Sequence, residues 1–302
     1  MATRGRSVGL SLLGNGLAGT AGTAALLVPL EGSPAVVGFL RLGIGALTLL
    51  LMAPLFGGSW RHLPRLLLRP LVWVMAITSG TYQALFFAAV ERAGVATAAL
   101  VTVGCVPVTA GLVGWLALRE RPNWVWYLAT VVAVSGLAVR SAGELRLNDA
   151  SGLLLAVGAG AGIGGYLNAA KVEIRRGGHA MLLPGSAYLI GSVCLLPVVR
   201  ADLKTVTWTT DAILLCLYLG VISMGLANAC QILGLRGISP GVAATMMLAD
   251  PVTAAVLGVV VIGEALTPQG ALGLGLVVLG LLLQSLSPGE RAAASRGRHR
   301  LA

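Results

Sequence analysis

The sequence predicts an all-α integral membrane protein, with ten transmembrane helices arranged as two inverted five-helix repeats. Three observations lead there. The first is composition. Of 302 residues, 11% are charged and 57% are hydrophobic, with a mean hydropathy of +0.89. A soluble domain carries about 25% charged residues, and no soluble core of this length could hide so much apolar surface. The second is the division of the chain into ten apolar segments, each near the ~20 residues that a helix needs to cross a bilayer. The third is internal repetition: residues 92–139 lie on residues 236–283 with a constant offset of 144 and no gap.

The segments fall at about 8–28, 34–56, 70–90, 95–117, 123–140, 150–170, 180–199, 211–233, 239–262 and 267–286. Backbone groups in lipid must be paired within the segment, which requires helices. A barrel would need alternating strands of about ten residues, and the sequence has none. The first segment follows Arg4 and Arg6 and so imitates a signal peptide. Its length of about 21 residues exceeds the usual apolar core of about 7–15, so it is expected to be a retained span. The connections Glu31-Gly32-Ser33, Glu91–Gly94, Arg119–Pro122 and Gly263–Leu266 leave no room for a soluble domain. The expected organisation is a first repeat over residues 1–145 (helices 1–5), a second over 146–286 (helices 6–10) and a basic cytoplasmic tail over 287–302. Arg291, Arg296, Arg298 and Arg300 of that tail can touch anionic headgroups.

Orientation follows from Lys and Arg. With the N-terminus cytoplasmic, the inside holds Arg4, Arg6, Arg61, Arg65, Arg69, Arg119, Arg121, Lys171, Arg175, Arg176, Arg236 and the four tail arginines, fifteen in all. The outside holds five: Arg92, Arg140, Arg146, Arg200 and Lys204. Both termini are therefore expected in the cytoplasm. Five helices per repeat is an odd number, so the second repeat enters the membrane inverted. In the overlay Arg92 falls on Arg236, Pro107 on Pro251, Thr109-Ala110 on Thr253-Ala254, Gly114 on Gly258 and Glu120 on Glu264. A duplicated hydrophobic unit of this kind is the signature of a carrier whose substrate path lies between its repeats.

Residues 96–121 (A-T-A-A-L-V-T-V-G-C-V-P-V-T-A-G-L-V-G-W-L-A-L-R-E-R) and 243–267 (A-A-T-M-M-L-A-D-P-V-T-A-A-V-L-G-V-V-V-I-G-E-A-L-T) resemble the EamA-type half of the drug/metabolite transporter superfamily. The shared features are a midspan Pro, small residues, a Gly, then Gly-Glu at the helix end and a fifth apolar helix. Ser33-Pro34 followed by Arg41 matches the family's second helix. The resemblance covers about residues 8–286, and one departure is Arg119 where the pattern has Gly. It implies a multi-pass secondary transporter of the bacterial inner membrane. The cargo it implies for export by alternating access is an amino acid, an amino-acid-like metabolite or an amphipathic drug.

Several polar residues stand inside spans. Asp250 lies about eleven residues into its segment, near the bilayer midplane. A carboxylate there costs about 3 kcal/mol by insertion scales, and Pro251 frees a backbone carbonyl one turn earlier. This suits a proton carrier or a partner for a substrate amine; the alternative is a permanently protonated or Arg-paired structural acid. Arg41 suits a substrate carboxylate, or else a structural pairing with Glu31 or backbone carbonyls. Pro107 and Pro251 are expected to interrupt helices at matching places, which in inverted-repeat carriers points to the site. Asn15, Trp73, Tyr82, Gln83, Tyr166, Asn168, Asn228 and Gln231 are the expected cavity wall, with interhelical glue as the competing role of each. Glu120 and Glu264 sit at span ends and are read as caps or loop anchors.

Other features are set aside. Gly14–Gly19 and Gly160–Gly165 both fit G-x-G-x-x-G, but neither follows a strand, so close helix packing explains them better than a dinucleotide. Cys105, Cys194, Cys216 and Cys230 form no C-x-x-C pair, and His62, His179 and His299 fall in loops, so no metal or cofactor is expected. The net charge of +10 is spread over short connections, which argues against nucleic acid. No P-loop is present to couple ATP, no acid or His cluster suggests a membrane enzyme, and the repeat supplies a whole pathway in one chain, unlike a channel. The expected partners are a small-molecule substrate and the bilayer. A monomer suffices, although Gly270, Gly273, Gly275 and Gly280 offer a flat face for a homodimer. Proton exchange through Asp250 and uncoupled facilitated diffusion are both open at this point.

Overall fold

The computed structural model describes residues 2–27, 34–120, 122–142, 149–204 and 207–286. Glu31, Arg121, Arg146 and the basic tail lie outside them. Every regular element among the described residues is helical. In order these are α1 (Ala2–Leu27), α2 (Pro34–Met52), α3 (Leu63–Leu67), α4 (Pro70–Ala93), α5 (Val95–Leu118), α6 (Trp124–Ser141) and α7 (Ala150–Arg175). They are followed by α8 (Leu182–Val199), α9 (Thr210–Gly220), α10 (Ala227–Leu235), α11 (Pro240–Met246), α12 (Ala249–Leu257) and α13 (Pro268–Leu286). A π-helical turn (Val221–Leu226) joins α9 to α10, and another (Gly258–Ile262) ends α12.

Among the described residues, eight helical stretches are long and apolar enough to cross a membrane: Val36–Phe56, Pro70–Ala93, Ala96–Leu118, Trp124–Ser141, Ala150–Arg175, Thr210–Leu235, Pro240–Ile262 and Pro268–Leu286. Leu182–Pro197 is a shorter apolar helix. Their outward side chains are leucines, valines and isoleucines left bare, such as Leu116, Leu154 and Val260. Such a belt suits contact with the hydrocarbon of a bilayer.

Local signals place the helix ends. Asn123, Asp149, Thr209 and Ser239 each accept a backbone N–H of the first turn that follows, which satisfies donors a helix start leaves orphaned. The Ser151 hydroxyl and the Gly152 N–H hold the Asp149 carboxyl below its usual range. Gly94, with φ +80°, makes the sharp break between α4 and α5. The ends of α5 and of the α12 run are built alike. Arg119 and Gly263 adopt left-handed backbone, and the following Glu120 and Glu264 donate their N–H to the carbonyls of Gly114 and Gly258 at 3.2 and 3.0 Å.

The helices pack in exchange-symmetric pairs. α1 lies against α10 and α12 while α7 lies against α4 and α5; α2 packs on α8 and α6 on α13. The glycines explain how closely. A side chain at Gly14 would collide with the Ala227 carbonyl, one at Gly19 with Asp250, and one at Gly160 or Gly164 with Thr102 or Thr109. The two G-x-G-x-x-G stretches thus serve helix contact. Gly136 and Gly273 face each other across α6 and α13, and Gly280 meets Ala133. Two of the four glycines offered for dimerisation, Gly273 and Gly280, are therefore spent inside the chain, and Gly275 stays open.

Two expectations need correction. The prolines do not act alike: α5 runs unbroken through Pro107, whereas the helix carrying Pro251 divides at Met247-Leu248. A proline removes one hydrogen bond and crowds the preceding turn. In α5 the buried ring is accommodated along a length clamped to α7. Before Pro251 the turn tightens instead, with Met247, Leu248 and Asp250 each bonding three residues back. The second correction is Lys171, counted as a loop cation. It lies within α7 and is buried, as is its neighbour Glu173.

Candidate functional site

The polar centre is built around α1, α2, α10 and α12. Arg41, on α2, donates from Nη2 to the Ser223 hydroxyl at 3.2 Å. Ser223 sits in the first π-helical turn and reaches the Ala18 carbonyl of α1 at 3.4 Å. Such a turn widens the helix and is often found at functional sites. One residue on, Gly19 lets the backbone of Asp250 approach α1. Arg41, through Ser223, and Asp250 thus both reach the stretch of α1 at Ala18 and Gly19. They close no ion pair with each other among the described residues. The Arg41 Nε is buried and has no acceptor among the described residues. A buried guanidinium N–H left unpaired costs free energy, so the centre holds a buried donor with no acceptor among the described residues.

α10 organises the rest. Asn228 accepts from the Tyr166 hydroxyl at 3.3 Å and donates to the Tyr188 hydroxyl at 2.6 Å, and the two rings stack with centroids 5.8 Å apart. One turn later Gln231 donates to Asn15 at 2.7 Å, and Asn15 donates to the Ser11 carbonyl at 2.7 Å. Two amides of one helix therefore tie α7 and α8 on one side and α1 on the other. Half-buried Tyr82 comes from α4, with its ring 5.9 Å from Phe86. Gln83 beside it is half-buried and bonds to nothing among the described residues.

Asn168 and Trp73 stand apart. Asn168 donates to the carbonyls of Ala110 and Gly164 at 3.0 and 2.9 Å, which glues α7 to α5. Trp73 is 45% exposed near the start of α4 and donates to the Leu67 carbonyl. Sequence reasoning missed Tyr188 and Ser223. Tyr188 is the one aromatic of its apolar segment, a signal that could have been used. Ser223 carries none, because serine is common in packed membrane helices.

A second polar cluster gathers at the C-terminal end of α7. Lys171 donates to the carbonyls of Leu235 and Ile238 at 2.6 and 2.7 Å, closing the end of α10. Glu173 pairs with Arg69 at 2.5 Å, and Arg175 pairs with Glu120. His179 bonds the Phe56 carbonyl at 3.0 Å. The end of α7 and the turn after it thus hold four separate connections.

Comparison with known proteins places this arrangement. The EamA-like transporter family matches the chain twice, over residues 6–141 and 150–286. The chain belongs to the EamA-like transporter family. It is a multi-pass membrane protein of the drug/metabolite transporter superfamily. Among its EamA-like relatives is the uncharacterized transporter YwfM of Bacillus subtilis (strain 168), 33% identical over 287 residues, covering 91% of this chain and 92% of that one. Another is the threonine/homoserine exporter RhtA of Escherichia coli (strain K12), 29% identical over 266 residues, 86% of this chain and 84% of that one. A solved crystal structure shares the fold with a TM-score of 0.79 at 20% identity, covering 94% of this chain and 98% of the other.

Proposed function

We propose that this EamA-like transporter exports an amino acid or amino-acid-like metabolite by alternating access. In this reading ten transmembrane helices form two inverted five-helix repeats in a bacterial inner membrane, with both termini cytoplasmic. The double family match and the exchange-symmetric packing support the repeat. The positive-inside bias supports the orientation, and the kinship with a threonine/homoserine exporter supports the cargo class.

The observation that carries the cargo reading is the pair Arg41 and Asp250. A cation with a buried N–H unused among the described residues, and an acid that does not pair with it, meet the same stretch of α1. An α-amino acid brings a carboxylate to the first and an ammonium to the second, so both groups are compensated inside the membrane, where a lone charge is expensive. Tyr82, Tyr188 and Asn228 supply the neighbouring hydroxyl and amide groups. The ties at the end of α7 stand on the cytoplasmic side in this orientation. They are the contacts that inward opening would break, and Asp250 is the acid available for proton exchange.

Counterflow in proteoliposomes tests the reading. Vesicles loaded with unlabelled threonine should accumulate labelled threonine or homoserine through the wild-type protein. Arg41→Gln and Asp250→Asn should each abolish most of that exchange. Full exchange in both variants, or no counterflow with any amino acid, would refute the cargo reading. If Asp250→Asn loses only the response to an imposed pH gradient, Asp250 is the proton carrier rather than the ammonium partner.

A further inference from the structure

A hollow of about 300 Å³ lies away from the polar centre. It opens between the stretch that joins α2 to α4 and the turn between α7 and α8. His62, Arg65 and Arg69 line one side of it, and Gly177, Gly178 and His179 the other. His62 precedes the five-residue α3, Arg65 lies in it and Arg69 follows it, and all three line the hollow. Their partners differ. Arg69 is bound to Glu173, and His179 is engaged at both ring nitrogens, by the Phe56 carbonyl and the Met181 N–H. His62 and Arg65 have no side-chain partner among the described residues. The hollow is therefore lined by an exposed guanidinium whose donors bond no other described residue.

The same stretch carries bare apolar side chains. Leu55 is 81% exposed and Leu68 82%, with Phe56 and Trp60 about half exposed. Trp60 has its indole N–H tied to the Leu50 carbonyl at the end of α2, at 2.7 Å. Because α2 and α4 enter the membrane on either side, this stretch lies along its surface. Exposed Trp and Leu beside Arg and His is the composition of an element seated at the boundary of headgroups and acyl chains.

We infer that this hollow binds the phosphodiester headgroup of an anionic phospholipid. Arg65 meets the phosphate with charge-assisted hydrogen bonds, for which the guanidinium fork is well shaped, and His62 adds a further contact. Leu55, Phe56, Trp60 and Leu68 lie along the acyl chains. Basic pockets between transmembrane helices on a cytoplasmic face are a recurrent form of headgroup site. The apolar rim favours a lipid over free phosphate, which has nothing to place there. The inference rests on the orientation proposed above but not on the cargo.

Native mass spectrometry of the full chain in detergent tests it, with phosphatidylglycerol, phosphatidylcholine and sn-glycerol 3-phosphate as probes. The wild type should retain one phosphatidylglycerol in preference to phosphatidylcholine. The double variant His62→Gln/Arg65→Gln should weaken that retention about fivefold to thirtyfold, the scale of one or two surface cations. Arg61→Gln, exposed on the same stretch but outside the hollow, should retain lipid as the wild type does. Equal retention of the two lipids by the wild type, or undiminished retention in the double variant, would overturn the inference. Glycerol 3-phosphate binding as tightly as the lipid would also overturn it, and would identify a soluble phosphate site. The wild-type lipid comparison decides the matter even if the double variant folds poorly.

Discussion

The matched helix ends at Arg119 and Gly263 allow a backbone argument to be tested against itself. Both residues are left-handed, with φ, ψ of 55°, 25° and 79°, 22°, and both are followed by the same Glu N–H to Gly carbonyl bond. Arg119 is the one non-glycine residue with positive φ among the described residues. Left-handed backbone costs an L-residue about 1–2 kcal/mol. Glycine in its place gives back about 0.5–1 kcal/mol through the freedom of the unfolded chain. The Arg119 side chain is exposed and forms no bond or ion pair among the described residues, so its removal loses nothing else. Arg119→Gly should therefore stabilise the protein by about 0.5–1 kcal/mol, or about 1–3 °C in Tm. Gly263→Ala should destabilise by about the same amount, and for the same reason alone, because a Cβ there meets nothing within 4 Å. Thermal unfolding in detergent, followed by fluorescence size exclusion, reads both. A fall in Tm for Arg119→Gly, or no change for Gly263→Ala, would refute the reasoning.

Other consequences follow from the same contacts. Lys171→Met strips a charged donor from two buried carbonyls and should cost about 3 kcal/mol or more; an unchanged Tm would show that those carbonyls find other partners. Gly164→Leu should part α5 from α7 and abolish recovery of folded protein, because its Cβ would strike Thr109 and stand 2.9 Å from the Ala110 nitrogen. Gly275→Leu, with nothing within 4 Å, should express normally, and equal yields of the two would count against the packing account. Asp149 has a lowered folded pKa, so its contribution is present above the usual value of 3.8 and lost as pH falls below it. Asp149→Asn keeps an amide cap that does not titrate, so the Tm advantage of wild type over the variant should shrink as pH falls from 5 to about 3; a constant difference would remove the carboxylate from the account.

What the sequence by itself determined is what depends on composition and local order. The apolar segments coincide with helices because apolar length sets a span wherever the residues sit in the fold. The duplication is a property of the string, and Ser239-Pro240 or Asn123 announces a helix start through groups at most three residues away. The acid before Pro251 was legible as an oddity because so few charges interrupt the spans. Tertiary structure decided which face of each helix turns inward. These helices are apolar all round, so no polar stripe reports their rotation. Nothing local says that Asn228 meets Tyr166 and Tyr188 while Asn168 only binds α5, or that Trp73 stands at the surface. Nor does the sequence show that Lys171 is buried against carbonyls 64 to 67 residues away, or that Pro107 and Pro251 have different effects. Each of these depends on a neighbour distant in the chain. In lipid, that neighbour is chosen by close packing at glycines and by the need to pair buried polar groups, rather than by hydrophobicity, which all faces share.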